Sequence, residues 1–73
     1  MTDIPHYSMF IQRDPRDNIY IVTVPELPGC KTHGKDHIEA VKNASEVIAL
    51  WIEAAEEDGS PVPPPRYYTD TEA

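Results

Sequence analysis

Cysteine, glycine and basic side chains are all scarce in this chain, and each scarcity closes off a class of protein. The single cysteine, Cys30, excludes an internal disulfide and fits a reducing, cytoplasmic setting. Three glycines form no phosphate-cradling loop, and neither a Gly-x-Ser-x-Gly turn nor a His-Glu-x-x-His motif is present. Six Lys and Arg against thirteen Asp and Glu leave a formal charge of -7. That balance repels polyphosphate and argues against direct binding of nucleic acid, while suiting a basic protein partner. No apolar run nears the ~18–20 residues of a membrane helix, and the first residues carry no signal-peptide pattern, so no membrane association is expected. What remains is small: 73 residues make one domain with a modest core, which favours self-association as a homodimer or higher homo-oligomer.

Proline is the one plentiful breaker, with eight copies, and it punctuates a regular pattern. His6 to Gln12 alternates Tyr7, Met9 and Ile11 with Ser8, Phe10 and Gln12, the period of a half-buried strand. Ile19 to Val24 is a β-branched and aromatic run, the strongest strand signal in the chain. The polar segment from Arg13 to Asn18 joins the two as an antiparallel hairpin. Pro25 to Gly29 ends the second strand and leaves room for a short third one, Cys30 to His33, before Gly34. Leu27, between two prolines, is expected in the core.

The second half opens on a helix from His37 to Asp58. Asp36 is its N-cap, with Glu39 three residues on, and Gly59 and Pro61 stop it. Val41, Ala44, Ile48, Trp51 and Ala55 recur at helical spacing, widened by Ile38, Val47 and Ile52. Lys42, Asn43, Glu46, Glu53, Glu56 and Glu57 take the other side. The prolines from Pro61 to Pro65 read as an extended stiff segment, and Arg66 to Thr69 as a candidate final strand. The domain, residues 1–73, thus has a short arm at 1–5 and a proline-rich segment with tail at 60–73. The fold class is α+β: a three-stranded antiparallel sheet packed by one long helix, β-β-β-α, with or without a last strand.

Signals for catalysis are weak. His33 and His37 are four apart, but Gly34 and the helix start separate their faces, so no metal set is expected. Cys30 has no base and orienting group beside it, which favours a core cysteine. Asp14 and Asp17 flank a proline, where aspartate serves local turn bonding. Trp51 on the apolar stripe and Glu53, Glu56 and Glu57 at the helix end are the candidate partner-contact residues. These features describe a non-enzymatic binding or assembly module that needs no cofactor.

Val24-Pro25-Glu26-Leu27-Pro28-Gly29-Cys30, followed by Thr32, Gly34, Glu39-Ala40, Leu50-Trp51-Ile52, Glu57-Asp58-Gly59, Pro61 and Pro63, resembles the HicB-type antitoxin family. The resemblance runs from about Tyr7 to Pro65, and the loop Val24–Cys30 is its most specific part. It implies a partial ribonuclease H-like fold of three strands, a helix and often a final strand. It also implies a partner: a small basic HicA-like toxin with a double-stranded-RNA-binding-like fold, whose cleavage of mRNA the antitoxin blocks. Two departures matter. Lys35-Asp36 stands where the family often has Asp-Thr, leaving the cap to Asp36. No ribbon-helix-helix or helix-turn-helix segment follows the prolines, so operator binding is not carried over. An orphan homo-oligomeric assembly or regulatory module of the same fold, without a toxin, is the alternative expectation.

Overall fold

A computed structural model of the chain describes residues 6–68. Three strands, β1 (Phe10–Asp14), β2 (Ile19–Thr23) and β3 (Lys31–Gly34), precede one helix, α1 (His37–Asp58). The sheet has the order β1-β2-β3 and both pairings are antiparallel. The expected α+β architecture is present.

The hairpin register pairs Phe10 with Thr23 and Asp14 with Ile19. Its turn is held locally. The Arg16 amide donates to Asp14 Oδ1 at 3.0 Å, Arg13 donates to Asn18 Oδ1, and Asn18 takes a φ of 57°. A short polar side chain tolerates that left-handed backbone better than a branched one. Asp14 and Asp17 therefore lie in a turn, and the Arg16 side chain and amide hold the Asp14 carboxyl below its ordinary pKa.

Strand limits depart from expectation because neighbouring loops claim the terminal hydrogen bonds. His6 to Met9 lies outside the ladder; the Ser8 amide is bound to the Glu26 carboxylate instead. Cys30 precedes β3, since its amide turns back to donate to Leu27 O at 3.0 Å, while its carbonyl still accepts from the Val24 amide at 3.0 Å, one position beyond the Thr23–Lys31 pair. The candidate final strand is corrected: Arg66 to Tyr68 pair with no strand, and Thr69 lies outside the described residues. Prolines at 61, 63, 64 and 65 donate nothing to a ladder. The segment is instead pinned by the Tyr7 hydroxyl, which donates to Pro63 O at 2.6 Å, and by the Arg66 amide, which donates to Glu26 Oε2 at 2.9 Å.

The helix starts and stops where the caps are. The Glu39 amide donates to Asp36 Oδ1 at 2.7 Å. The Glu39 carboxylate turns back to accept from the Lys35 amide at 2.7 Å, one residue earlier than a standard capping box. Gly59 closes the C-terminus at φ 74°, its amide bonded to carbonyls of the last turn.

α1 packs over β3 and β2 and scarcely reaches β1. Its buried positions are Ala40, Ala44, Ile48 and Ala55. The expected stripe is thus rotated at its N-terminal end: Ala40 replaces Val41, which is 40% exposed, and Ile38 is 83% exposed. Gly34 is the cause. A Cβ there would sit 2.4 Å from the Ala40 amide nitrogen, so only glycine lets the first helical turn close on β3. Gly34→Ala is expected to cost ~1–3 kcal/mol by forcing strand and helix apart, read as a fall in melting temperature. An unchanged midpoint would mean that the contact relaxes freely.

The core forms two clusters. Val22, Ala40 and Ala44 meet Met9, Ile11 and Tyr20 near the helix start. Val24, Leu27, Cys30 and Ile48 meet Tyr7, Met9, Val47, Trp51 and Ile52 further along. Leu27, Ile48, Val22 and Val24 are the largest fully buried side chains, each contributing ~1.5–3 kcal/mol of burial. Leu27 belongs to a loop, so that loop is part of the core. Among the described residues no helix is long and apolar enough to cross a membrane.

Candidate functional site

The loop Val24–Cys30 is built by its own backbone. The Leu27 amide donates to Val24 O at 3.1 Å, and the Cys30 amide and Val24 amide complete two successive closed turns. Pro25 and Pro28 stiffen the first and second turn, and Gly29 supplies a φ of 74°. Leu27 and Cys30 point inward at 1% and 3% exposure, and burial pushes the Cys30 thiol pKa up. An apolar, protonated thiol is a packing group and a poor nucleophile.

Glu26 is the buried polar residue of the core, at 5% exposure. Its carboxylate accepts from the Ser8 amide at 3.0 and 3.2 Å, from the Ser8 hydroxyl at 2.9 Å and from the Arg66 amide at 2.9 Å. Burial by itself would raise its pKa; the donors from Arg66 and Ser8 outweigh that and hold it at about 2. One side chain therefore ties together the approach to β1, the loop and the proline segment. The sequence places an acid between two prolines, but gives no sign of donors 18 and 40 residues away.

Trp51 joins the helix to the same loop. Its indole Nε1 donates to Pro28 O at 3.1 Å, while its ring packs on the cluster around Leu27 and Ile48. It is half-buried and borders a hollow of about 360 Å³ that Ala54, Ala55, Asp58 and Ser60 also line. Glu53, Glu56 and Glu57 are exposed and lie on other sides of the helix. The four candidate contact residues thus divide into one anchoring aromatic and three solvated carboxylates.

Those carboxylates continue along the helix. Glu39, Glu46 and Glu53 follow a seven-residue spacing, ~10 Å per step, with Glu57 closing the row. Leu50 sits among them, 63% exposed. Lys42 is the one basic residue of α1, against six acids. The ion pair between Arg16 and Asp14 is the only one among the described residues. The ridge therefore has no cationic partner within the described fold.

The histidines do not converge. His33 lies in β3, while the His37 ring stacks on Tyr20 with centroids 4.3 Å apart. Among the described residues no three His, Cys, Asp or Glu side chains gather as a metal set.

The model of the family described as "HicB_like antitoxin of bacterial toxin-antitoxin system" matches residues 7–72, taking in loop, ridge and proline segment together. The chain belongs to the HicB-like antitoxin family. A UPF0150 protein of Thermoplasma acidophilum is 40% identical over 57 residues, covering 78% of this chain and 81% of that one. One of Archaeoglobus fulgidus is 38% identical over 55 residues, covering 73% and 78%. An uncharacterized protein of Haemophilus phage HP1 is 43% identical over 44 residues, of which the matched part is 33% of that protein's length. No solved structure matches the chain. For this HicB-like antitoxin, the matched loop has a clear structural role: Leu27 fills the core, Glu26 staples three segments, and Pro28 receives the helix through Trp51. What the loop holds in place is the exposed helix face.

Proposed function

We propose that the protein is the non-enzymatic half of a toxin-antitoxin pair, and that it neutralises a small basic mRNA-cleaving toxin of the HicA-like kind by direct binding. Family membership supports the antitoxin role in general. The observation that carries the finer reading is the unpaired acidic ridge of α1. A surface evolved to grip RNA phosphates is cationic, and a row of solvated carboxylates competes for it while speeding the encounter. The hollow beside Trp51 adds a seat of fitting chemistry. A Lys or Arg stem would lie on the indole with its charge toward Asp58, combining a cation-π contact with an ion pair. Trp51, Glu53, Glu56 and Glu57 are the proposed contacts, with Leu50 as an apolar centre.

The test is co-expression with the short basic protein encoded next to this gene. Wild type is expected to relieve growth arrest and to form a complex that weakens as salt rises. Glu53→Lys combined with Glu57→Lys is expected to weaken that complex ~100-fold or more and to abolish rescue. Both side chains are exposed, so the variant should melt like wild type. Full rescue by a folded variant would remove the ridge from the mechanism, and no rescue by wild type would remove the toxin.

A further inference from the structure

We infer that the proline segment after α1 is a preformed polyproline ligand, presenting Pro61, Pro64 and Arg66 to a protein groove walled by aromatic rings. The inference rests on neither the acidic ridge nor the toxin. It starts from the backbone. Proline fixes its own φ near the polyproline value and drives the residue before it toward the same extended region. Ser60, Val62, Pro63 and Pro64 each precede a proline, so the run from Ser60 to Pro65 is held as a left-handed helix of ~3 residues per turn. Side chains three apart therefore share an edge.

The fold treats the three edges differently. Backbone bonds fasten the segment at Ser60, Pro63 and Arg66, one residue in every three. The Ser60 amide donates to Ala55 O at 2.9 Å, the Pro63 carbonyl accepts from the Tyr7 hydroxyl at 2.6 Å, and the Arg66 amide donates to Glu26 Oε2 at 2.9 Å. Val62 and Pro65, on the second edge, are half-buried. Pro61, Pro64 and Tyr67, on the third, are all exposed, Tyr67 at 67%. One edge, with a ring at each turn of ~9 Å, is thus left open on a segment already fixed in place.

The chemistry of that edge sets what binds it. A polyproline helix makes no internal hydrogen bonds, so its carbonyls accept from a partner's indole or phenol groups while its rings fill slots between aromatic side chains. The partner is a folded protein whose groove of Trp and Tyr rings has slots one polyproline turn apart. Arg66 adds direction. A polyproline edge looks much alike read either way, and one charge at its end fixes the orientation. Arg66 is exposed and is the only basic residue after Lys42. The ion pair among the described residues is Arg16 with Asp14, which leaves the Arg66 guanidinium for a carboxylate beyond the partner's second slot. Pro61-x-x-Pro64-x-Arg66 is a spacing that such grooves read.

Calorimetric titration of the full chain with a purified SH3 domain selective for Pro-x-x-Pro-x-Arg tests this. Wild type is expected to bind in the micromolar range, at least as tightly as a synthetic peptide of residues 60–68, because the fold has already ordered the segment. Pro64→Ala with Arg66→Gln is expected to weaken binding ~30-fold or more. Both residues are exposed and the amide of residue 66 still reaches Glu26, so this variant should melt within a few degrees of wild type. Tyr68→Ser, off the open edge, should bind like wild type. No binding by the full chain, or binding by the peptide alone, overturns the inference, as does unchanged affinity in the Pro64/Arg66 variant. Loss of the neighbouring basic protein by that variant, with no binding of the SH3 domain, also overturns it, by giving the segment to the toxin contact.

Discussion

Glu26→Ala is expected to destabilise the domain by ~3 kcal/mol, since it removes the buried carboxylate that binds two part-buried amides and a hydroxyl. For a chain of this size that is a fall in melting temperature of ~10–20 °C. Glu26→Gln keeps the shape but offers an amide group to donors, so it should lie between the two. Acid exposes the same contact. With its folded pKa depressed from 4.5 to about 2, Glu26 contributes its full stabilisation above the unfolded value, and loses it as pH falls from there toward 2. Other carboxylates also titrate in this range, Asp14 among them, so the difference between wild type and Glu26→Gln isolates the residue. Wild type should lose more stability than the variant between pH 5 and 2. Parallel acid-melting curves would show that the carboxylate is not held as the geometry has it.

Trp51→Ala is the second large effect, ~3–5 kcal/mol from packing lost on the cluster of Leu27 and Ile48, while the exposed Pro28 carbonyl turns to water. A domain of this length has roughly 4–11 kcal/mol in total, so the variant should be largely unfolded when warm. Trp51→Phe retains most of the ring contact and forfeits the bond from Nε1 to Pro28 O, for ~1 kcal/mol. Chemical denaturation followed by circular dichroism measures both. Trp51 and Glu26 secure the same loop from opposite sides, so their losses should not add; the double variant is expected to cost less than the sum. Strict additivity would mean that the loop is not a single unit.

The helix was readable almost to the residue because both its signals are local. Asp36 lies three residues from the amide it caps, and Gly59 adopts its left-handed turn whatever packs nearby. Strand existence was equally plain from Ile19 to Thr23. Strand limits were not, because whether Ser8 or Cys30 joins a ladder depends on a competing partner far along the chain or across a loop. Periodicity found Ala44, Ile48, Trp51 and Ala55, yet it ranked Val41 above Ala40. Hydrophobicity favours the larger side chain, while the close approach at Gly34 has room only for the smaller one.

The candidate surface divides the same way. Glu53, Glu56 and Glu57 stand out from composition and spacing alone, as does the excess of acid that calls for a basic partner. The resemblance carried by Val24 to Cys30 points to the family before any coordinates. By itself the sequence therefore determined the order β-β-β-α, the limits of the helix, the acidic face and the kinship, all of which rest on neighbours a few residues apart. Only the tertiary structure decided that Glu26 is a buried staple, that Trp51 is tied to Pro28, and that the helix covers β3 and β2 while scarcely reaching β1. Each of those depends on which distant donor, carbonyl or bare Cα arrives at a side chain, and no periodicity along the chain encodes that meeting.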